Sequence, residues 1–445
     1  MADNHSNSSE QQLNANSVSK FDVTIMGISG AAPVMCIAAS MGDIMSLSGT
    51  AVALAFILAT VVLVMVGSSF GRLSERFNSA GGAYAYVRDT FGSKLGFVTA
   101  FLFFGNMICT GIIGGVFSSY LNDLTGLPKF VCVIILLVPV FFLGWRGVEF
   151  STKALIAIWF VQMALIIYPA IRVWTMQTAE VENILANSAH AFVPSFGITN
   201  LMFAVLVCVW CFVGFEGAAY MGEEIKGGAK SVKFAITASV IGIGVVYAVT
   251  CWLWTAGMTN VTSELINEWN ANGMVLADYA KMIGYAAGRP LIACATLASC
   301  IGCFICFATI APRGFFDMGR NGYLPEVFGK VNKYQSPHIS LILYSVLWFA
   351  AALYASYGNI SHLFNFMAVF STATYILVCI AHLKDRAKDG NIFVDKIVPV
   401  AAIAIMVYMI LSADMTTKLG LVVYVAIMTA AGFIWDNARG KKDPQ

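Results

Sequence analysis

Residues 23–46 read VTIMGISGAAPVMCIAASMGDIMS, a run long enough to cross a bilayer, since a helical span takes about 20 mostly apolar residues. The middle of the run, residues 27–33, is a poor helix interior. Pro33 lacks a backbone N–H, and two glycines loosen the turn before it. Inside a membrane, broken backbone is tolerated only where protein buries it or where it lines a cavity. The stretch therefore predicts a broken membrane helix with a cavity beside the break.

The composition of the whole chain indicates the same environment. Of its 445 residues, 59% are hydrophobic and 11% are charged, whereas a soluble domain carries roughly 25% charged residues. So few charges cannot cover a water-facing surface, and a net charge of +2 gives no reason to expect a nucleic-acid partner. The 11 cysteines lie inside apolar runs, where they act as small packing residues. The sequence predicts no metal site and no cofactor.

Apolar runs of similar length recur along the chain, so the sequence predicts an all-α polytopic membrane protein with 12 transmembrane helices. The predicted spans are 23–46, 49–71, 95–121, 129–146, 153–175, 197–224, 232–258, 289–316, 338–357, 360–383, 396–413 and 417–436. A single transmembrane domain at 21–436 lies between a polar, disordered tail at 1–20 and a short tail at 437–445. In the loop after the seventh span, we expect a short surface helix at 275–282.

The distribution of positive charge predicts the orientation. With these spans, 21 of the 26 lysines and arginines lie on the side of the N-terminus, and 5 lie on the other side. Cytoplasmic loops carry the excess of Lys and Arg. We therefore expect a multi-pass protein of the cell membrane, plasma or inner, with both termini and both tails in the cytoplasm.

A second break is predicted in the sixth span, at Gly214-Phe215-Glu216-Gly217. Two broken helices five spans apart are what an inverted repeat predicts, and their free ends suit a substrate carboxylate and an ammonium group. Glu216 is a carboxyl at membrane depth, which makes it a functional hypothesis by default. It either takes part in coupling or braces the broken helix, and the sequence leaves both interpretations open.

Other side chains near the breaks are candidates for substrate contact. Trp210, Phe212 and Phe215 stand beside the second break, where a ring could close over a substrate or stack on a cation. Asn106 lies in the third span, and Gln162 lies in the middle of the fifth. Polar groups of this kind also form hydrogen bonds between helices without any further role.

Three motifs, in this order, resemble those of the amino acid–polyamine–organocation family of transporters. They are SAGGAYAYVR at 79–88 with Phe91-Gly92, GFE at 214–216 with GEEIK at 222–226, and RNGYLP at 320–325 with Ser336-Pro337. The resemblance covers about residues 21–436. It implies a five-plus-five inverted repeat of the leucine-transporter type, with repeat one at about 21–175 and repeat two at about 197–383. Two extra helices follow at about 396–436.

The resemblance also implies a substrate site between helices one, three, six, eight and ten. The residues it implies are Ser29, Gly30 and Ala31 for the carboxylate, and Trp210, Cys211 and the Gly214 backbone for the amino group and side chain. On the fifth helix, Gln162 stands where several family members have a lysine. Gln162 cannot supply that charge, which puts a lysine-based coupling scheme in doubt here. Glu216 and Gln162 are the coupling candidates.

The leading functional prediction is a secondary active transporter that carries an amino acid by alternating access, as an exchanger or a proton-coupled symporter. The alternative is a permease for a polyamine or another organic amine. A polycation should need more than one acid at membrane depth, and Glu216 is the clear one, which favours a neutral amino acid.

Two other classes are not favoured. An ion channel would need a repeated pore loop or an acidic ring, and an enzyme would need grouped catalytic side chains, whereas the five histidines are dispersed. The expected partners are a small-molecule substrate, the lipid bilayer and, in a symporter, protons. No nucleic acid is expected, and the oligomeric state stays open.

Overall fold

The computed structural model describes residues 13–77, 79–176, 181–259, 261–272, 274–358, 360–385 and 391–438. Two predictions lie partly outside these residues, because the tail at 1–20 is described only from residue 13 and the tail at 437–445 only to residue 438. Within the described part the elements are helices, apart from one isolated parallel bridge between Val18 and Ile225. The all-α prediction is confirmed.

The helices are numbered here along the chain. They are α1 (Lys20–Gly30), α2 (Pro33–Ser48), α3 (Val52–Arg76), α4 (Gly82–Phe91), α5 (Ser93–Cys109), α6 (Ile112–Thr125), α7 (Lys129–Trp145), α8 (Val148–Met176), α9 (Val181–His190), α10 (Ile198–Cys211), α11 (Gly217–Tyr220), α12 (Gly228–Gly257), α13 (Ser263–Asn272), α14 (Val275–Met282), α15 (Gly288–Arg320), α16 (His338–Tyr357), α17 (Ile360–Lys384), α18 (Val398–Ser412) and α19 (Met415–Ala438). Short 3-10 and π-helical turns lie at Glu326–Gly329 and Phe393–Ile397.

Ten helical stretches of the described chain are long and apolar enough to cross a membrane, when α1 with α2 and α5 with α6 each count as one stretch. Two shorter apolar helices, α7 and α10, accompany them. Each predicted span coincides with one of these stretches. Large apolar side chains such as Phe142, Val245 and Leu411 are exposed, which suits a surface covered by lipid. The prediction of a polytopic membrane protein is confirmed, and the five-plus-five repeat stays a prediction.

The third span differs from its prediction as one helix over 95–121. The structure divides it, because α5 ends at Cys109 and α6 begins at Ile112. At the joint, the N–H of Gly111 donates to the carbonyl of Ile108 at 3.0 Å, a three-residue spacing that tightens the turn. Asn106, a predicted site residue, therefore lies one turn before a bend.

The connections between spans contain more helix than the sequence predicts. No helix was expected at α4, α9 or α13. The predicted short surface helix at 275–282 is present as α14, with Lys281 and Met282 exposed and its apolar face buried. Val275, Leu276 and Tyr279 are buried, since this apolar face packs against α15.

The centre of the bundle is built around α1, α2, α10 and α15, whose facing side chains are buried. On one side of this centre, α12 packs along α3 and α1, and Phe56 of α3 stacks on Tyr247 of α12 with ring centroids 4.4 Å apart. The helix ends form two opposite layers. We call the layer that holds Arg88 and Arg320 the N-terminal side, and the layer that holds Asp123 and Arg289 the opposite side.

Candidate functional site

Both predicted breaks are present in the structure. In the first break, α1 ends at Gly30, Ala32 takes a left-handed φ of 44°, and α2 begins at Pro33. The missing N–H of Pro33 does no harm at the first position of a helix. The second break occupies residues 212–216, between α10 and α11.

The two breaks touch through their backbones. Gly214 has a φ of 125°, which favours glycine, and a Cβ there would lie 2.6 Å from the carbonyl carbon of Gly30. A Cβ on Gly30 would lie 2.8 Å from the Sγ atom of Cys306 and 3.2 Å from the Cα atom of Gly214. Glycine at both positions therefore allows the backbones of the two broken helices to come into direct contact.

Side chains from two other helices hold the carbonyl groups of the breaks. The hydroxyl of Tyr247 lies 2.7 Å from the carbonyl oxygen of Ala31 and 2.7 Å from that of Cys211, and it can donate to one of them at a time. The thiol of Cys303 donates to the carbonyl of Gly30 at 2.9 Å. Sequence reasoning missed Tyr247, although a tyrosine in an apolar span needs a hydrogen-bond partner.

The N–H groups at the first break divide into engaged and available ones. Ala31 donates to the carbonyl of Gly27 at 3.3 Å, and Ala32 donates to that of Ser29 at 3.0 Å. The next N–H groups belong to Val34 and Met35 in the first turn of α2. A helix offers no carbonyl of its own to these positions. The backbone donors best placed for an anion are therefore those at the start of α2.

A small cavity lies between the breaks. Its walls are the first break itself, Trp210 and Val213 beside the second, and apolar or sulfur-containing side chains of the surrounding helices, namely Met35, Cys36, Ile113, Cys303, Phe307 and Met367. Its volume of about 10 Å³ matches about one water molecule, far below the roughly 300–1,000 Å³ of usual ligand pockets. This conformation is closed around the site, so a larger molecule binds only after the walls move.

Trp210 is the predicted aromatic residue that lines this cavity. Its ring stacks on Phe364 of α17, with centroids 4.6 Å apart and planes 16° from parallel. Its indole N–H has no hydrogen-bond partner among the described residues. A buried donor without a partner costs about 1–3 kcal/mol, so this N–H is suited to a ligand or a water in the cavity.

Glu216 lies at the second break and is 2% exposed. One carboxyl oxygen accepts the N–H of Gly214 at 2.9 Å, so the side chain caps the broken backbone two residues before it. The aromatic side chains of Tyr220 and Tyr375 lie within electrostatic reach of the carboxyl. The structure thus contains the bracing contact that the sequence left as one of two interpretations.

Three predicted polar residues are buried but do not line the cavity. The hydroxyl of Ser29, the carbonyl oxygen of Asn106 and both amide atoms of Gln162 have no hydrogen-bond partner among the described residues. Gln162 lies one turn beyond Ile158, which faces Gly302 of α15, and therefore lies about 6 Å further along its helix. Gln162 lies on a helix that packs against α1, but its side chain does not line the cavity.

The remaining predicted residues lie behind the cavity wall. The thiol of Cys211 is 3.6 Å from the hydroxyl of Ser40. The ring of Phe215 packs against Phe70 and Tyr375, with centroid distances of 6.0 and 5.5 Å. Both residues support the second break, and neither contributes to the lining of the closed cavity.

A buried ion pair closes the N-terminal side below the site. Arg313 of α15 makes two contacts with the carboxylate of Glu224, at 2.5 and 2.9 Å, and the two side chains are 3% and 1% exposed. The chain before α1 is fastened to the same point, because the N–H of Ser17 donates to the carbonyl of Glu224 at 2.9 Å. Glu224 is thus buried within the bundle, whereas its neighbour Glu223 is 23% exposed.

A second set of charges joins the three motifs on this side. Asp317, 1% exposed, accepts from Arg88 at 3.2 Å and from Arg320 at 2.9 Å. Arg320 also contacts Glu223 at 2.5 Å, and Glu223 accepts the N–H of Ala80 at 3.1 Å. The motif residues distant in sequence thus meet in one network.

The opposite side is closed by a more exposed cluster. Arg289 contacts Asp123 at 2.5 Å and Asp278 of α14 at 3.2 Å, and the three side chains are 18–29% exposed. Burial raises the pKa of Asp278 on balance, although the Arg289 guanidinium acts in the other direction. This cluster, with Lys129, lines a cavity of about 350 Å³.

The sequence is similar to those of known transporters. The profile of the amino acid permease family matches residues 18–440. An uncharacterized transporter of Mycobacterium tuberculosis is 24% identical over 84% of this chain and 82% of its own length. The methylthioribose transporter of Bacillus subtilis is 22% identical over 95% of this chain and 94% of its own length. An arginine/ornithine antiporter of Lactococcus lactis is 27% identical over 43% of this chain and 37% of its own length.

The fold is also similar to a solved one. The manganese transporter of Eremococcus coleocola superposes with a TM-score of 0.58 over 93% of this chain and 94% of that chain. The sequence identity is 15%, so the likeness concerns the fold. It agrees with an all-helical membrane transporter architecture.

Proposed function

Because the chain belongs to the amino acid permease family, we propose that it is a secondary transporter that carries a neutral amino acid across the cell membrane by alternating access. The observation that carries this proposal is the contact of the two breaks at one buried, uncharged cavity. Broken helices expose backbone donors and acceptors where a membrane protein otherwise has none. A zwitterionic amino acid needs a donor for its carboxylate and an acceptor for its ammonium group.

The polar part of the substrate fits the helix ends. A carboxylate is stabilised at a helix N-terminus, and the N–H groups of Val34 and Met35 stand at the start of α2. An ammonium group is stabilised by carbonyls at a helix C-terminus, and the carbonyls of Gly30 and Ala31 end α1. Because the N–H groups of Ala31 and Ala32 are engaged, we place the carboxylate at the first turn of α2, next to the predicted segment Ser29, Gly30 and Ala31.

The apolar part of the substrate fits the walls. Trp210, Ile113, Phe307 and Met367 offer apolar surface, and the cavity lining contains no charged side chain. Placing a second ammonium or a guanidinium against such walls would leave a charge without compensation, which costs several kcal/mol. This favours a neutral amino acid over arginine or a polyamine, although one similar protein bears the name of an arginine/ornithine antiporter.

A metal ion is not the cargo that this cavity suits. Hard divalent cations prefer oxygen ligands, whereas the side chains with ligating atoms here are thiols and thioethers from Cys36, Cys303, Met35 and Met367. The described residues also include no group of three or more His, Cys, Asp or Glu side chains that could hold a metal.

Orientation and coupling complete the proposal. We expect the N-terminal side to face the cytoplasm, because the excess of Lys and Arg lies on that side. Exchange and proton symport both agree with the site. In a symporter, Glu216 is the group that would take up and release the proton, since it is a carboxyl at membrane depth beside the second break.

Thermal unfolding of the purified protein with a panel of compounds tests the substrate class. A ligand of the native state at 100 times its Kd adds about 2.7 kcal/mol of stability, so leucine or methionine should raise the unfolding temperature in a dose-dependent way. Arginine and putrescine should not. Trp210→Leu should lose this response, whereas Trp254→Leu, a buried tryptophan outside the cavity lining, should keep it. Stabilisation by putrescine or arginine alone would overturn the proposal of a neutral amino acid.

A further inference from the structure

An apolar groove faces the membrane between α5, α17 and α19. Its walls include Val98 and Leu102 of α5, Ile376 and Leu377 of α17, and Val425 of α19, and its volume is about 560 Å³. The groove is separate from the cavity between the breaks, because the two share no lining residue.

The groove has the length of one leaflet of a bilayer. Its lining on α5 runs from Lys94 to Leu102, eight residues or about 12 Å along the axis. One leaflet supplies about half of the roughly 30 Å hydrocarbon core. The groove therefore begins at the membrane surface on the N-terminal side and ends near the middle of the membrane.

The width of the groove decides what can occupy it. A volume of about 560 Å³ over about 12 Å gives a cross-section of roughly 47 Å². A second helix, about 10–12 Å wide with its side chains, needs a cross-section of roughly 80 Å² or more. An extended hydrocarbon chain fits this space, whereas a helix of a second copy can only pack over the groove and cannot enter it.

Positive charge lies at the surface end of the groove. Lys94 is exposed and lines the mouth. Lys384, at the end of α17, donates to the carbonyl of Thr90 at 2.9 Å, and its ammonium lies 4.3 Å from the ring centre of Phe91. Asp385 and Asp89, the acids next to Lys384 and Thr90 in sequence, are paired with Arg76 and Arg88. Basic side chains beside a gap between membrane helices suit an anionic lipid headgroup.

We propose that the groove between α5, α17 and α19 binds an anionic phospholipid of the leaflet on the N-terminal side, with an acyl chain in the groove and the phosphate at Lys94 and Lys384. The bound acyl chain lies against Ile376 and Leu377 of α17. On the same helix, the ring of Tyr375 packs on that of Phe215 at the second break, with centroids 5.5 Å apart. The lipid thus supports the helix that supports the site.

A hydrogen bond between α19 and α5 closes the end of the groove that lies near the middle of the membrane. Tyr424 of α19 donates to the carbonyl of Phe101 on α5 at 2.6 Å. Thr429, further along α19, lies within the groove, and a larger side chain there would fill it. Val422 of the same helix is 63% exposed and lies outside the groove, so it offers a matched control.

The test compares unfolding temperatures of the full-length protein in nanodiscs of phosphatidylcholine, with or without about one third phosphatidylglycerol. The wild type and Val422→Trp should gain several degrees from phosphatidylglycerol. Thr429→Trp should lose that gain, and Val98→Phe provides a second way to fill the groove if Thr429→Trp does not fold. Lys94→Gln combined with Lys384→Gln should also lose the gain, whereas Lys230→Gln, on an exposed part of the same side, should keep it.

Native mass spectrometry of the same samples counts the bound phospholipids. The filled-groove variants should retain at least one lipid fewer than the wild type and Val422→Trp. The proposal is overturned if the filled-groove variants keep both the lipid and the thermal gain, or if the double lysine variant responds to phosphatidylglycerol like the wild type.

Discussion

The two ends of the bundle are closed by different kinds of ion pair. On the N-terminal side, the Glu224–Arg313 pair is 1–3% exposed, and Asp317 with two arginines lies beside it. On the opposite side, Arg289 bridges Asp123 and Asp278 with side chains that are 18–29% exposed. We call these two sets of ion pairs the closures of the bundle. The closure on the N-terminal side is buried within the protein, and the closure on the opposite side is partly accessible to water.

This difference sets how much each closure costs to open. Removing one partner of a buried pair costs about 3–5 kcal/mol, because the other charge stays buried without compensation. An exposed pair contributes about 0–1 kcal/mol. In an alternating-access cycle, each side must open in turn. We therefore expect the opposite side to open at lower cost, and the N-terminal side to require that its buried charges separate or become hydrated.

The largest effect is expected when the buried pair is broken. Glu224→Gln leaves Arg313 without its counter-charge and should lower the free energy of unfolding by about 3–5 kcal/mol, measured by denaturant titration. Glu326→Gln, an exposed carboxyl near the same side, should change it by less than about 0.5 kcal/mol.

A double variant separates stability from gating. Glu224→Met with Arg313→Met replaces the pair by apolar side chains and should recover most of the lost stability. If it recovers stability yet no longer holds the N-terminal side closed, the pair is a gate. Wild-type closure in the double variant would contradict that role.

A smaller change in stability is expected on the opposite side. Arg289→Gln should lower the free energy of unfolding by about 1 kcal/mol or less, yet it should open the site toward that side. Cys36 and Cys303 line the cavity and are each 1% exposed, so a membrane-impermeant thiol reagent should reach them faster in Arg289→Gln. The same reagent should react faster from the N-terminal side in Glu224→Gln. Equal reactivity from both sides in both variants would remove the distinction between the two closures.

Glu216 lies between the two closures, and its substitution tests whether a proton links them. Glu216→Gln can still accept the N–H of Gly214, but it cannot bind or release a proton. If Glu216 couples transport to protons, the variant should bind substrate while its transport becomes independent of pH. Transport into proteoliposomes across a pH series decides this, and a wild-type pH profile in Glu216→Gln would leave only the bracing role.

The smallest perturbation tests which closure faces the cytoplasm. Single cysteines replace Lys333 near the N-terminal side and Lys281 on α14, both exposed, with little effect expected on stability. In intact cells, an impermeant thiol reagent should label Lys281→Cys and spare Lys333→Cys. The reverse pattern would invert the orientation.

The breaks and spans could be predicted from the sequence because their signals are local. Two glycines followed closely by Pro33 weaken the helix at that point, and apolar runs of span length can be recognised without knowledge of their neighbours. The family resemblance implied Gly30, Ala31 and Trp210 as site residues, and all three line the cavity. Their roles in binding stay predictions.

The closures could not be predicted, because their partners are distant in sequence. Glu224 and Arg313 are 89 residues apart, and nothing local indicates that these two charges meet in a buried place. Tyr247 was missed for the same reason, since its hydroxyl bonds residues 216 and 36 positions away. Ser29, Asn106 and Gln162 were predicted as site residues; they are buried but do not line this closed cavity, because the face that a helix turns to a cavity depends on packing partners distant in sequence.

Counterflow in proteoliposomes tests the central claim most directly. Vesicles that contain the purified protein are loaded with unlabelled leucine and diluted into a trace of labelled leucine. The account predicts transient accumulation of label above its equilibrium level, and none after loading with arginine or putrescine or in empty vesicles. Accumulation driven by arginine or putrescine but not by any neutral amino acid would contradict it, as would no counterflow of a neutral amino acid that demonstrably binds.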